Sequence, residues 1–128
     1  MQQISVFLEN RPGIVADICG ALTERKVNIS AMTILDTIDI GTLRMVVDDV
    51  EKAKEVLTEV GAAYVEVPVV GVRIPNRPGA FARIASQLST AGVNLEYVYA
   101  SALQDMDASL AIFRVADMRA ALELEFED

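Results

Sequence analysis

The sequence contains no histidine and no tryptophan, and Cys19 is its only cysteine. A single cysteine excludes an intramolecular disulfide and every zinc motif that is built from paired cysteines. Without histidine, the chain lacks the commonest protein ligand of metals and the commonest general base of enzymes. We therefore expect neither a metal nor any other cofactor, and we expect that the protein is not an enzyme.

Long apolar runs and positive charge are also scarce. No stretch of about 18 apolar residues is present, and the first ten residues lack the charged start and apolar centre of a signal peptide. Lys and Arg number 11 against 19 Asp and Glu, which gives a net charge of −8. Such a charge repels phosphate backbones and anionic lipid surfaces. We expect a soluble cytoplasmic protein with no nucleic-acid partner and no membrane partner.

The most informative feature that is present is an internal repeat. The tetrapeptide Asn-Arg-Pro-Gly occurs at 10–13 and again 66 residues later, and the 19-residue stretches that begin there are identical at nine positions. Those positions are the tetrapeptide, four apolar residues and a second asparagine, Asn28 in the first copy and Asn94 in the second. Such a duplication predicts two similar units, which we place at residues 1–67 and 68–128.

The hydrophobic pattern of each copy predicts the order β-α-β-β-α-β. Alternating apolar residues indicate the strands, and apolar residues at helical spacing indicate the helices. Pro12 suits the first position of a helix, and the nearby Asn10 is a candidate cap for the free N–H groups. In the first copy we predict a helix after the turn, a second helix at 50–60, and strands at 4–9, 28–36, 42–48 and 63–67.

The second copy repeats this pattern but has no obvious final strand. We predict an α+β fold of two ferredoxin-like βαββαβ units, with antiparallel sheets and helices on one face. The second unit either lacks its last strand or is completed by another segment. Its predicted strands are 69–74, 94–101 and 109–114, and its predicted helices are 79–91 and 116–123.

The two asparagines of each copy suggest a ligand site that both units share. Amide groups both donate and accept hydrogen bonds, which suits the carboxylate and ammonium of an amino acid, and a helix N-terminus favours a carboxylate. Within one unit, Asn10 and Asn28 lie at opposite ends of a helix about 20 Å long, so they do not hold one small ligand together. If a pseudo-twofold axis relates the units, Asn10 approaches Asn94 and Asn76 approaches Asn28. The alternative is that both asparagines serve only their own turns.

The stretch "FLENRPGIVADICGALTERKVNISAMTI" resembles an ACT domain, a small-molecule-sensing unit of many enzymes of amino-acid metabolism. It is especially similar to the serine-sensing regulatory domain of bacterial phosphoglycerate dehydrogenases. That resemblance implies that Asn10 and Asn28, with Asn76 and Asn94, contact an effector across a domain interface. The family's histidine, two residues before the turn asparagine, is Leu8 in the first copy and Ile74 in the second. This departure leaves the identity of the ligand open.

The candidate ligand-binding residues are the two turns with their following helix residues, the two strand-entry segments and one tyrosine. Tyr97 and Tyr99 share one face of their strand, where they either shape one pocket or cover the sheet. Arg11 and Arg77 either pair with a ligand carboxylate or remain solvated. The complete set is Asn10, Arg11, Pro12, Gly13, Ile14, Asn28, Ile29, Asn76, Arg77, Pro78, Gly79, Ala80, Phe81, Asn94, Leu95 and Tyr97.

These observations favour a non-catalytic regulatory protein that binds a small amino acid or related metabolite between its ACT units. The alternative is an ACT-type regulatory subunit that has no ligand of its own and acts by protein contact on a biosynthetic enzyme, as the small subunit of acetolactate synthase does. In either case an enzyme of amino-acid metabolism is the expected partner, and edge strands make a homodimer the expected assembly.

Two rival functions have less support from the residues. Four acids near the predicted hairpin of the first copy could serve acid–base chemistry, but loop acids of this kind are usually solvated. An RNA-recognition module shares the element order but needs stacking aromatics on its central strands, where Phe113 is the only one, and a basic surface. The four acids are Asp36, Asp39, Asp48 and Asp49.

Overall fold

The computed structural model of the chain describes residues 1–9, 11–36, 41–101 and 107–124. Asn10 and the turn of the predicted hairpin at 37–40 lie outside these ranges. The chain divides into two compact units, Gln2–Val67 and Pro68–Asp128, and Met1 belongs with the latter. We call them the first and second unit and describe each by itself.

The first unit has the predicted order of elements and a four-stranded sheet. Strand β3 runs antiparallel to both β1 and β2, and the strand order across the sheet is β2-β3-β1-β4. This is the ferredoxin-like arrangement that the sequence predicts. The elements are β1 (Gln2–Leu8), α1 (Ile14–Glu24), β2 (Ile29–Asp36), β3 (Gly41–Val47), α2 (Val50–Glu59) and β4 (Ala63–Pro68).

In the first unit, the alternating apolar residues of the strands and the apolar faces of the helices form one core. Each fully buried aliphatic side chain contributes about 1.5–3 kcal/mol relative to an exposed one, so this cluster is the main stabilising feature of the unit. The opposite face of β1 buries polar residues instead, where the Gln3 amide donates to the Ser5 hydroxyl over 3.0 Å. The strands and helices bring to the core Ile4, Val6, Leu8, Ile18, Leu22, Leu43, Met45, Ala53, Val56 and Leu57.

The second unit has the same first four elements as the first unit, and a shorter second helix. Its sheet has the order β5-β7-β6, so that β5, the equivalent of β1, has β7 as its neighbour among the described strands. No strand follows α4 in the described part of this unit, as the sequence predicts. The elements are β5 (Val70–Pro75), α3 (Ala80–Thr90), β6 (Leu95–Ser101), β7 (Ala108–Val115) and the five-residue α4 (Met118–Leu122).

The starts of the first helices correct one prediction from the sequence. Helix α1 begins at Ile14 with Gly13 as its N-cap, so Pro12 precedes the cap rather than occupying the first helical position. In the second unit Gly79 is the N-cap of α3, and Asn76 lies three residues earlier. Glycine therefore occupies the cap position in both copies, and a cap from the side chain of Asn10, which lies outside the described residues, stays a prediction.

Candidate functional site

The two Asn-Arg-Pro-Gly turns have the same backbone conformation wherever both are described. Gly13 has φ 85° and Gly79 has φ 87°, both in the left-handed region that glycine adopts at the least steric cost. The N–H of Arg11 donates to the Glu9 carbonyl over 2.9 Å, and the N–H of Arg77 donates to the Pro75 carbonyl over 3.0 Å. The duplicated tetrapeptide thus fixes one turn geometry at the start of two 11-residue helices.

The side chains around the two turns differ in charge. In the first unit the Arg11 guanidinium lies 3.2 Å from the Asp17 carboxylate and 3.5 Å from that of Glu9. These groups are exposed, 46% for Arg11 and 67% for Asp17, so the ion pair contributes only about 0–1 kcal/mol. In the second unit, Pro75 stands at the position of Glu9 and Arg83 at that of Asp17. The first turn is therefore zwitterionic, and the second carries only positive charge at the matching positions.

A cavity of about 350 Å³ opens beside the first turn, within the first unit. The end of β1, the first turns of α1 and the connection from α2 to β4 surround it. Arg11 and Ile14 are the two lining residues that were candidates from the sequence, whereas those of the α2–β4 connection carry no motif that would single them out. The cavity is lined by Phe7, Glu9, Arg11, Ile14, Asp17, Ile18, Val60, Gly61, Ala62 and Ala63.

The strand-entry asparagines, Asn28 and Asn94, are exposed and occupy equivalent places. The carbonyl of Asn28 accepts from the N–H of Asp48, and that of Asn94 accepts from the N–H of Ala116, both over 3.0 Å. Only the first copy adds a side chain to this link, since Oδ1 of Asp48 accepts from the N–H of Asn28 over 2.9 Å. The backbone of each asparagine therefore has a local structural role, while its side chain is in a solvent-exposed position.

Sheet register places the turn and the strand entry at opposite ends of the first unit. Leu8 pairs with Gly41, and Ile29 pairs with Val47, at the two ends of β3. That length of strand spans about 20 Å at 3.3 Å per residue. The turn and Asn28 of one unit therefore do not meet on one small ligand, which agrees with the argument from the sequence.

The remaining candidate residues differ in their burial and include the aromatic ones. Phe81 is 41% exposed and stacks on the buried Phe113, with ring centroids 6.0 Å apart. Tyr97 stacks on Tyr99 with centroids 6.5 Å apart, so the two tyrosines share one face as predicted. The structure places the other candidates at the surface, half-buried or buried: Arg11, Pro12, Gly13, Asn76, Arg77, Pro78 and Gly79 are exposed, Ile14, Ile29 and Leu95 are half-buried, and Ala80 is buried.

Leu8 and Ile74 stand where the resembling family carries a histidine. Each is only 8% exposed and belongs to the core of its unit. A side chain at these positions faces the packed interior, because it alternates with the outer residues of β1 and β5. The apolar residues therefore serve packing at both positions.

Two of the hairpin acids have structural roles. Asp48 supports the entry of β2 as described above, and Asp49 is the N-cap of α2, accepting from the N–H of Lys52 over 3.0 Å. Asp39 lies outside the described residues, as does the side chain of Asp36. These backbone contacts explain why two acids follow β3, and no catalytic role is needed to account for them. Among the described residues, no three His, Cys, Asp or Glu side chains form a group that could hold a metal ion.

One lysine has a shifted pKa. The Lys54 ammonium donates hydrogen bonds to the carboxylate of Glu66 on β4 and to that of Glu51 on α2, and these bonds raise its pKa from 10.5 to about 12. Since the charged form is favoured in the folded state, this contact stabilises the packing of α2 beside β4. None of the helices in the described ranges is both long and apolar enough to cross a membrane.

Comparison with known proteins identifies the fold and the family. The sequence matches the family described as "ACT domain pair" over residues 1–127. The Bacteroides thetaiotaomicron protein BT0572 is 34% identical, with a TM-score of 0.89 over 95% of this chain and 83% of that one. No curated protein matches the sequence.

Two solved regulatory subunits share the fold at lower identity. That of aspartate kinase from Thermus thermophilus, in its ligand-free form, is 22% identical, with a TM-score of 0.70 over 94% of this chain and 87% of that one. The corresponding subunit from Thermus flavus is also 22% identical, with a TM-score of 0.64 over the same shares. The repeat, the two sheets and the match along nearly the whole sequence agree, and the chain belongs to the family of ACT domain pairs.

Proposed function

We propose that this ACT domain pair is a non-catalytic regulatory protein that reversibly binds a small amino acid or a related metabolite. The observation that carries the proposal is the repeated turn. In it, Gly13 and Gly79 adopt the same left-handed backbone conformation at the N-cap of the helix that follows. A helix N-terminus favours a carboxylate, and the exposed Arg11 and Arg77 offer guanidinium groups nearby. Two such turns in one chain supply two sites for an α-carboxylate.

The proposed ligand sites combine the turn of one unit with the strand entry of the other. Asn10 and Asn94 form one site in this proposal, and Asn76 and Asn28 form the second. The support is the separation of about 20 Å between turn and strand entry within one unit, which is too long for a small ligand to bridge. Asn10 itself lies outside the described residues, so its pairing with Asn94 stays a prediction.

The proposed partner is an enzyme of amino-acid metabolism, whose activity responds to the bound ligand. In Thermus, a chain with this fold is the regulatory subunit of aspartate kinase, which supports such a role. A cytoplasmic location follows from that partner. If the protein has no ligand of its own, the same fold acts by protein contact alone.

A homodimer is part of the proposal. Strand β2 is an edge of its sheet, and Met32, Ile34 and Leu35 on it are 39–48% exposed. No charged residue occurs from Ile29 to Leu35 to discourage pairing with another strand. Sedimentation at micromolar concentration should give twice the 13.9 kDa chain mass, and Ile34→Lys should shift it toward the monomer. A wild-type chain that sediments as a monomer contradicts the dimer.

The ligand proposal is tested by a thermal-shift screen of the twenty amino acids and common keto acids. A ligand at 100 times its dissociation constant stabilises the folded state by about 2.7 kcal/mol. Calorimetric titration with a hit should then give two sites per chain. Failure of every compound to raise the melting temperature would favour a subunit that acts by protein contact only.

Paired asparagine variants separate the cross-unit sites from sites within one unit. Asn10→Ala with Asn94→Ala removes both asparagines of one proposed site, so one intact site should remain. Asn10→Ala with Asn28→Ala makes the same number of changes but damages both sites. Equal stoichiometry and affinity in the two double variants would refute the cross-unit pairing.

A further inference from the structure

Strand β5 of the second unit has an open edge, at the place where β4 lies beside β1 in the first unit. Among the described strands, its neighbour in the sheet is β7, on one side alone. We propose that the other edge of β5 binds an extended segment of a partner protein, whose side chains alternate between apolar and acidic. The inference concerns a protein contact and does not rest on the proposed ligand sites.

Hydrogen bonds show which backbone groups of β5 point to the open edge. The N–H of Asn76 donates to the Asp107 carbonyl over 2.9 Å, at the end of the ladder that pairs β5 with β7. In an antiparallel ladder, alternate residues bond to the same neighbour, so Asn76 and the even-numbered residues of β5 face β7. The N–H and C=O groups of Gly71 and Arg73 therefore point to the open edge.

The pair formed by Val69 and Met1 shows that this edge accepts a strand. The Met1 ammonium donates to the Val69 carbonyl over 3.2 Å, and the N–H of Val69 donates to the Met1 carbonyl over 3.0 Å. Two residues that exchange both bonds form the closely spaced pair of an antiparallel ladder. Val69 directly precedes β5, and its backbone groups point to the same side as those of Gly71. The groups of Gly71 are therefore oriented for the next bonds of such a ladder.

The open edge is accessible to a partner. Gly71 and Arg73 are both exposed, and no described strand pairs with them on this side. Because glycine has no side chain, the exposure of Gly71 is that of its backbone. The edge ends at Pro75, which has no N–H and whose carbonyl accepts from the N–H of Arg77.

The helix side of this edge favours apolar side chains in the partner. Asp49 is the N-cap of α2 and Asp117 is that of α4, so Lys54 and Leu122, each five residues after its cap, occupy equivalent positions. In the first unit the Lys54 ammonium donates to the carboxylate of Glu66 on the fourth strand. Leu122 is 66% exposed, so a strand at the equivalent place in the second unit would cover an apolar side chain.

The other face of β5 favours acidic side chains in the partner. Arg73 is exposed on the face that points away from the helices, because Val72 and Ile74 on either side of it pack into the core. Residues directly opposite each other in an antiparallel pair share a face, and opposite charges there attract. An acidic residue opposite Arg73 would therefore form an ion pair with it.

The same arginine disfavours a second copy of this chain as the occupant. Two β5 edges paired about a twofold axis would bring the Arg73 side chains of both chains together on one face. Like charges that face each other across strands destabilise the pair. An acidic segment of another protein converts this repulsion into an attraction.

The test measures the binding of short peptides to the full chain by fluorescence anisotropy. The probe, called the glutamate peptide, is labelled with fluorescein, ends in an amide and alternates glutamate and valine over about seven residues. We expect it to bind, and the same peptide with lysine in place of glutamate should bind about tenfold more weakly. Absence of binding by the glutamate peptide overturns the proposal, as does equal binding of the lysine peptide.

Methylation of the peptide backbone separates strand pairing from charge attraction alone. Because a residue opposite Arg73 shares its face, the glutamates are also the residues whose N–H groups bond to β5. Methyl groups on the glutamate nitrogens remove these bonds and should abolish binding. Methyl groups on the valine nitrogens point away from β5 and should be tolerated. Equal affinity of the two methylated peptides overturns the proposal.

Variants assign the binding to the β5 edge. Arg73→Glu should reverse the preference between the glutamate and lysine peptides, whereas Lys26→Glu, the same charge change at an exposed residue of the first unit, should not. Leu122→Ser should weaken the glutamate peptide, because an apolar contact with its valines is lost. A preference that Arg73→Glu leaves unchanged overturns the proposal. If Arg73→Glu does not fold, the two methylated peptides decide on the wild type.

Two further results would assign the edge to another occupant and overturn the proposal. If the chain sediments as a dimer that the glutamate peptide dissociates, the edge belongs to a second copy. If the peptide binds only to a chain that ends at Leu124, the edge belongs to residues 125–128 of the chain itself.

Discussion

The two units share a turn but differ in what surrounds it. Identical residues in the two copies include the cap glycines, Gly13 and Gly79, and buried core residues such as Ile18 and Leu22 with their counterparts. The differences include the exposed positions that set charge, such as Asp17 against Arg83. Duplication has thus kept the turn and the core residues and has changed several of the exposed positions that set the charge. The same turn geometry therefore occurs with two differently charged surfaces around it.

The second difference concerns the elements that follow β3 in the first unit and β7 in the second. In the first unit, β4 lies beside β1, and the connection before it forms a wall of the cavity. In the described residues of the second unit, α4 has only five residues and no strand follows it. The wall depends on elements that follow the repeated turn by some fifty residues, so similarity at the turn does not imply similarity of the site.

The largest effect on the free energy of unfolding is expected for substitutions in the two cores. These substitutions test whether the two cores are equally well packed. Leu22 is fully buried and Leu88, its counterpart, is 2% exposed. Leu22→Ala and Leu88→Ala should each lower the free energy of unfolding by about 2–5 kcal/mol in urea titrations. Leu122→Ala is the control, because Leu122 is 66% exposed. A loss at Leu88 no larger than at Leu122 would mean that the second core is not packed as described.

A smaller loss of stability is expected for substitutions at the cap glycines of the two turns. Gly13→Ala and Gly79→Ala should each destabilise by about 1–2 kcal/mol, because a Cβ is strained at positive φ. An added Cβ meets no atom within 4 Å at either glycine, so backbone strain is the only cost. Gly20→Ala, inside α1 with equally open space, should instead stabilise by about 0.5–1 kcal/mol. Thermal unfolding measures all three, and a neutral change at Gly79 would show that the second turn differs from the first.

The smallest effect concerns Lys54, whose contact with Glu66 links α2 to the fourth strand that the first unit has. Its folded-state pKa of about 12 lies above the ordinary 10.5, so the stabilisation is fully present below pH 10.5 and is lost as the pH rises through about 12. The melting temperature of the wild type should fall more steeply over this range than that of Lys54→Met. Lys52→Met, on the same helix, should follow the wild type. Parallel curves for the wild type and Lys54→Met would contradict the contact.

Much of the fold could be predicted from the sequence because its signals are local. The alternation in β1 and the apolar stripe of α2 appear where the pattern predicts them. The start of α1 was predicted wrongly. Pro12 fits a first helical position by its fixed φ, but the left-handed Gly13 that follows it becomes the cap instead.

The candidate site could be predicted only in part. Arg11 stands out because its motif is repeated, and Ile14 because it directly follows that motif, and both line the cavity. Val60 and Ala63 carry no motif, since nothing in their residue types distinguishes a cavity wall from an ordinary connection. Their role depends on β4 lying next to β1, a pairing between residues far apart in the sequence.

The sequence by itself determined the duplication and the order of the elements, because identity between copies and hydrophobic period are properties of short segments. Only the tertiary structure decided that one turn lies beside a cavity lined by opposite charges, and that Asp48 supports the entry of β2. The physical reason is that a binding surface depends on which distant segments the folded chain brings together.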